Sequence, residues 1–200
     1  MFIIDQSFPE FSLEAYDPKK DAEGRVSQKD FFGKGKKTKF LVLFFYPADF
    51  TFICPTELAD LHRRYTELKK YDAEVVVVST DTVYTHKAWI ETEGLLKGLQ
   101  FPMAADHNGK LSRELGIYQE ERGLAQRATF IIDSTNVLRS VDITADNIGR
   151  SAGELVRRVK ALHFTVTHKG RVCPASWDEG SATLKPSIKI AGKVFDELKK

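Results

Sequence analysis

Two hundred residues, 42% of them hydrophobic and 29% charged, fit one globular domain of ordinary size and exclude a disordered chain. Thirty basic and 28 acidic residues are mixed along the chain and leave a formal charge of +2, too weak a field to announce a polyanionic partner. No apolar run approaches membrane-spanning length, and Met1–Asp5 lacks a basic flank followed by an apolar stretch, so a cytoplasmic protein with no membrane partner is expected.

In chain order, Lys34-Gly-Lys-Lys-Thr-Lys39 is the densest basic stretch. It has no aromatic interleaving and reads as a solvated loop, so no nucleic acid is expected. Lys39–Tyr46 is a strand buried on both faces, closed by the turn Pro47-Ala-Asp49. From Pro55, Leu58, Leu61, Tyr65 and Leu68 recur at helical spacing, with Arg63, Arg64, Lys69 and Lys70 on the outer face. Glu74–Ser79 predicts a second buried strand, Thr85 to about Glu93 a helix, and Leu111–Leu115 a short helical segment. Ala128–Asp133 and Val137–Thr144 predict two strands around the turn Ser134–Asn136, followed by a helix from Ser151 to about His163. Strands alternating with helices imply an α/β sheet. After His163 glycine, proline and isolated polar residues replace periodicity, which divides the chain into a domain over 1–163 and an irregular arm over 164–200.

The two cysteines, Cys54 and Cys173, are too few for a secreted disulfide framework or a zinc knuckle. In a reducing compartment they suggest redox work; two inert buried thiols are the alternative. Cys54 falls where the first buried strand hands over to its helix, so unpaired N–H groups and the positive end of the helix dipole favour a thiolate there. Pro55 and Glu57 suit a first helical turn, as they would in any well-formed helix. Arg127, at the mouth of a later strand, is the candidate second positive group, and the sequence leaves open whether it reaches Cys54. His62, His86, His107, His163 and His168 show no metal-ligand spacing, and no glycine-rich phosphate loop follows any strand. Neither a metal nor another cofactor is expected.

The segment Phe45-Tyr-Pro-Ala-Asp-Phe-Thr-Phe-Ile-Cys-Pro-Thr-Glu-Leu58 resembles the peroxidatic signature of peroxiredoxins. The likeness extends through Asp81, His86 and Trp89, through Gly123–Asp133 and Ile148-Gly-Arg150, and through Val172-Cys-Pro-Ala-Ser-Trp177. The last stretch, with Glu179–Leu184 and Pro186, is similar to the C-terminal arm of the bacterial alkyl hydroperoxide reductase C group. The resemblance implies a thioredoxin-like fold, a central mixed sheet flanked by helices with an irregular C-terminal arm, and the activity of a typical two-cysteine thiol peroxidase. It implies that Pro47, Thr51, Cys54 and Arg127 form the peroxide pocket, that Glu57 and Arg150 support it, and that Cys173 of a partner subunit resolves the oxidised Cys54. A hydroperoxide substrate, a thiol reductant (a flavoprotein disulfide reductase or a thioredoxin), and a homodimer assembling into a ring of five dimers follow from it.

Family members that inactivate readily carry a Gly-Gly-Leu-Gly loop and a Tyr-Phe pair on an added helix. Here the corresponding stretches read Glu93–Gln100 and Val194–Lys200, so resistance to overoxidation is expected. Two rival readings are a dithiol oxidoreductase and a holdase or peroxide sensor. The first needs Cys-x-x-Cys and meets Glu57 where the second thiol should stand. The second leaves no separate motif.

Overall fold

The structure, a computed structural model, describes residues 3–199. Met1 and Phe2 of the opening stretch, and Lys200 at the end of the expected arm, lie outside the described residues. Two compact units divide the chain, Met1–Ala152 and Gly153–Lys200.

The first unit is built on a seven-stranded sheet, ordered β2-β1-β5-β4-β3-β8-β9. Its strands are β1 (Ser12–Asp17), β2 (Ala22–Ser27), β3 (Phe40–Phe45), β4 (Ala73–Ser79), β5 (Met103–Ala105), β8 (Arg127–Asp133) and β9 (Leu138–Thr144); β6 (Tyr118–Gln119) and β7 (Leu124–Ala125) form a separate ribbon. β3 runs parallel to β4 and antiparallel to β8. All six residues of β3 are buried, the consequence of a central strand covered on both faces. The parallel pairs β3·β4 and β4·β5 coexist with antiparallel pairing elsewhere, so the sheet is mixed, as the resemblance implied.

Helices α1 (Gln28–Phe31), α2 (Cys54–Lys70), α3 (Val83–Thr92) and α4 (Lys110–Glu114) connect these strands. α2 buries Leu58, Leu61, Tyr65 and Leu68, the face its spacing marked. It begins at Cys54 itself, one residue before Pro55. α3 begins before Thr85 because Thr82 accepts a hydrogen bond from the Thr85 N–H and caps it. The hairpin β1–β2 and the short β5 were not legible in the sequence. β2 is an edge strand in which only Val26 is buried, so it has almost no apolar pattern to show. Beneath the sheet, Leu41, Leu43, Phe45, Val76, Val78, Phe130 and Ile132 pack with Phe8 and Phe11 into one core.

The antiparallel register of β3 with β8 decides where the chemistry sits. Phe45 pairs with Ala128, so Arg127 at the start of β8 stands beside the end of β3, where the chain leaves for α2.

The second unit contains most of α5 (Ala152–Thr167) and ends in α6 (Val194–Leu198). α5 outruns its expected end at His163, its last turn closed by the Thr167 hydroxyl donating to the His163 carbonyl at 2.9 Å. The segment beyond is largely non-helical yet well anchored. Val172 and Leu184 form an antiparallel bridge, the Trp177 ring lies 5.0 Å from that of Phe164, and Arg157 Nη1 donates to the Trp177 carbonyl at 2.9 Å.

Candidate active site

Cys54 is the first residue of α2 and fully buried. The N–H groups of Thr56 and Glu57 turn back onto the Ile53 carbonyl, and Pro55 has no N–H to leave unpaired, so the helix start is well formed. Arg127 Nη1 donates to the Cys54 Sγ at 3.2 Å and to Glu57 Oε2 at 2.8 Å, while Arg127 Nε donates to the Asp146 carbonyl at 2.9 Å. The guanidinium is therefore held from two sides with one corner turned to the sulfur.

Glu57 lies between two arginines. Its Oε1 accepts from Arg150 Nε at 2.9 Å and from the Arg150 backbone N–H at 2.7 Å. Arg150 also donates to the Thr129 hydroxyl at 2.9 Å and to the Phe45 carbonyl at 2.8 Å, and its guanidinium lies 3.6 Å from the Phe44 ring centroid. Burial pushes the Arg150 guanidinium down, against the opposing pull of Glu57. Gly149 packs closely here: a Cβ there would stand 3.2 Å from Ile53 Cγ2, a tight contact, and 3.6 Å from Glu57 Cγ.

Glu57, Arg127 and Arg150 are all buried and carry one negative and two positive charges. A thiolate at Cys54 brings the four groups to neutrality; a thiol leaves one buried charge in excess.

Pro47 is buried at the end of β3. Thr51, half-buried, donates its hydroxyl hydrogen to the Ala48 carbonyl at 2.8 Å. Between them Phe50 adopts a left-handed backbone (φ +54°). Cys54, Glu57, Arg127 and Arg150 are thus drawn into one cluster, with Pro47 and Thr51 on the loop leading to it. Cys173 lies in the second unit, partly exposed and unpaired, with Sγ 3.8 Å from the Ala161 carbonyl. Burial pushes its thiol up, and Arg157 pulls the other way.

The family model described as the AhpC/TSA family matches residues 4–141, a span that includes the whole Cys54 cluster except Arg150 and the Asp146 carbonyl. The chain belongs to the AhpC/TSA family. Alkyl hydroperoxide reductase C of Staphylococcus epidermidis is 43% identical over 97% of this chain and its own full length. The protein of that name from Escherichia coli is 44% identical over 84% of this chain and 88% of its own. Among solved structures, Enterococcus faecalis AhpC superposes with a TM-score of 0.79 at 40% identity, covering 87% of this chain and all of that one. Reduced 2-Cys peroxiredoxin of Plasmodium vivax reaches a TM-score of 0.89 at 28% identity, over 98% of this chain and all of that one. The thioredoxin-like fold and central mixed sheet expected from the sequence are those of these AhpC/TSA relatives.

Several partners at the Cys54 cluster escaped the sequence reading. The Asp146 carbonyl is a backbone atom and carries no residue signal, and Thr129 is one polar position inside an apolar strand. His86 and Asp81 were matched beyond the signature, in the extension of the likeness, without a role; both prove to hold Asp49. Among the described residues no group of three or more His, Cys, Asp or Glu side chains is arranged to hold a metal ion, and no helix is long and apolar enough to cross a membrane.

Proposed function

We propose that this chain is a thiol-dependent peroxidase for hydrogen peroxide and alkyl hydroperoxides, with Cys54 as the attacking thiolate and Cys173 as the resolving thiol. The observation that carries the reading is the buried Cys54 sulfur at the start of α2 with Arg127 Nη1 3.2 Å away. The names of the curated relatives, alkyl hydroperoxide reductase C, point the same way.

In the first step a Cys54 lone pair attacks the distal peroxide oxygen. The S–O bond forms as the O–O bond breaks, and the electron pair leaves on the other oxygen, which takes up a proton and departs as alcohol or water. Cys54 becomes a sulfenic acid. Arg127 is always charged and already oriented, so it stabilises negative charge on both the sulfur and the departing oxygen without reorganising. The Thr51 hydroxyl hydrogen is committed to Ala48, so its lone pairs are what it offers to a peroxide O–H. Pro47 adds a wall with no competing donor. Glu57 and Arg150 hold Arg127 in place.

In the second step the Cys173 thiol displaces the hydroxyl of the sulfenic acid; a disulfide forms and water leaves. An external dithiol, on a flavoprotein disulfide reductase or a thioredoxin, restores both thiols by exchange. Cys173 acts on Cys54 of a partner subunit in a homodimer, five of which close into a ring, and the enzyme works in the cytoplasm against peroxide stress.

The test is non-reducing electrophoresis after one equivalent of hydrogen peroxide, comparing the wild type with Cys54→Ser and Cys173→Ser. A dimer in the wild type that dithiothreitol reverses, with no doubly bridged species in either variant, is the expected result. A wild type that stays monomeric with both thiols free overturns the two-cysteine mechanism.

A further inference from the structure

Behind the loop that precedes Cys54 lies a buried polar network with no place in the chemistry above. Asp49 Oδ1 accepts from the Tyr46 hydroxyl at 2.7 Å, and Asp49 Oδ2 meets His86 Nδ1 at 2.8 Å. The Asp49 backbone N–H donates to Asp81 Oδ2 at 2.9 Å, and Asp81 is itself held by the Ser79 hydroxyl at 2.7 Å. His86 stands on α3 with its side chain fully buried, and its Nε2 faces the Ala104 carbonyl of β5 at 3.3 Å. A carbonyl oxygen only accepts, so Nε2 carries a hydrogen, while Nδ1 is left to the Asp49 carboxyl. Burial pushes the Asp49 carboxyl up, and the His86 contact opposes it.

The network is placed to act on the loop. From Pro47 to Ile53 only Pro47 and Asp49 are buried, so Asp49 is the one polar side chain that anchors this segment in the interior. The next residue, Phe50, has the left-handed backbone (φ +54°), a conformation that persists at a non-glycine residue only where its surroundings hold it. Thr51 follows directly. Among the described residues the hydrogen-bond donor to the Cys54 sulfur is Arg127, not His86.

We propose that His86 is a positioning residue for peroxide reduction: through Asp49 it fixes the loop that presents Pro47 and Thr51 to the peroxide at Cys54. The inference rests on the peroxidase reading. It divides the labour at the site in two, Arg127 and the helix start serving the thiolate and the His86–Asp49 pair serving orientation of the substrate.

That division is measurable, because iodoacetamide needs the thiolate and not the oriented peroxide. The variants are His86→Asn, whose side-chain amide can reach Asp49 from the place of Nδ1, and His86→Gln, whose amide reaches the place of Nε2 beside Ala104. Stopped-flow rates with hydrogen peroxide and alkylation rates with iodoacetamide are measured at a temperature where circular dichroism shows both variants folded. The expected result is a peroxide rate within about threefold of wild type for His86→Asn and a loss of about 100-fold for His86→Gln, with alkylation of neither variant slowed. Equal peroxide rates in the two variants, whether both retained or both lost, or a parallel loss of alkylation, overturn the proposal. A wild type that reacts with peroxide no faster than free cysteine overturns the peroxidase reading, and this inference with it.

Discussion

Glu57 does more at this site than its position in a first helical turn suggests. An acid there suits the helix dipole, a contribution of about 0.3–1 kcal/mol at an exposed end. In the fold the same carboxylate is buried and bridges Arg127 and Arg150. Replacing Glu57 by Gln leaves two buried guanidiniums with one negative partner fewer, a change expected to cost about 3–5 kcal/mol. Urea unfolding of wild type and Glu57→Gln checks it; a loss under 1 kcal/mol, about the worth of a surface helix-dipole contact, would show that the bridge contributes little. At this scale the sequence displays the residue types and their spacing, while the partners are invisible. Arg127 and Cys54 are 73 positions apart, and Arg150 and Glu57 are 93 apart, so neither pair leaves a local pattern.

Elements were legible in proportion to their burial. β3, β4 and β8 are buried almost throughout and each carries a run of apolar residues, and α2 presents a clear apolar face, so each could be read with nearly its true bounds. β2 and β5 could not: the first is a polar edge, and the second is only three residues long. α5 illustrates what holds an element at its start. Hydrogen bonds from Arg157, with Arg158 adding to them, hold the Glu154 carboxyl down to about 2. A carboxyl lowered in the folded chain stabilises it above the ordinary value near 4.5, and that stabilisation is lost as pH falls from there toward 2. Glu154→Gln should therefore be the less stable protein at neutral pH, with the gap closing across that acid window. The gap is small, because the Glu154 side chain is 41% exposed and water screens the pairs. Thermal midpoints of the two proteins from neutral to acid pH measure it, and a gap independent of pH would refute the assignment.

Across the molecule, the core beneath the sheet is what keeps the end of β3 and the start of β8 in register. Leu43 is fully buried within that core. Truncation to Ala is expected to cost about 3 kcal/mol and, in a chain of this size, to lower the thermal midpoint by roughly 6–12 °C. Calorimetry of Leu43→Ala decides it; an unchanged midpoint would mean that the strand repacks without a cavity.

Residue order alone was enough to specify the alternation of strands and helices, the start of α2 close to Cys54, and the family signature from Phe45 to Leu58. These are local: each depends on spacing within a single element or on one contiguous run of residues. That Arg127 meets the sulfur, that Glu57 is shared by two arginines, and that His86 grips Asp49 emerged only once the chain was folded. Those contacts come from strand order and register, which bring residues far apart in the chain to the same end of the sheet.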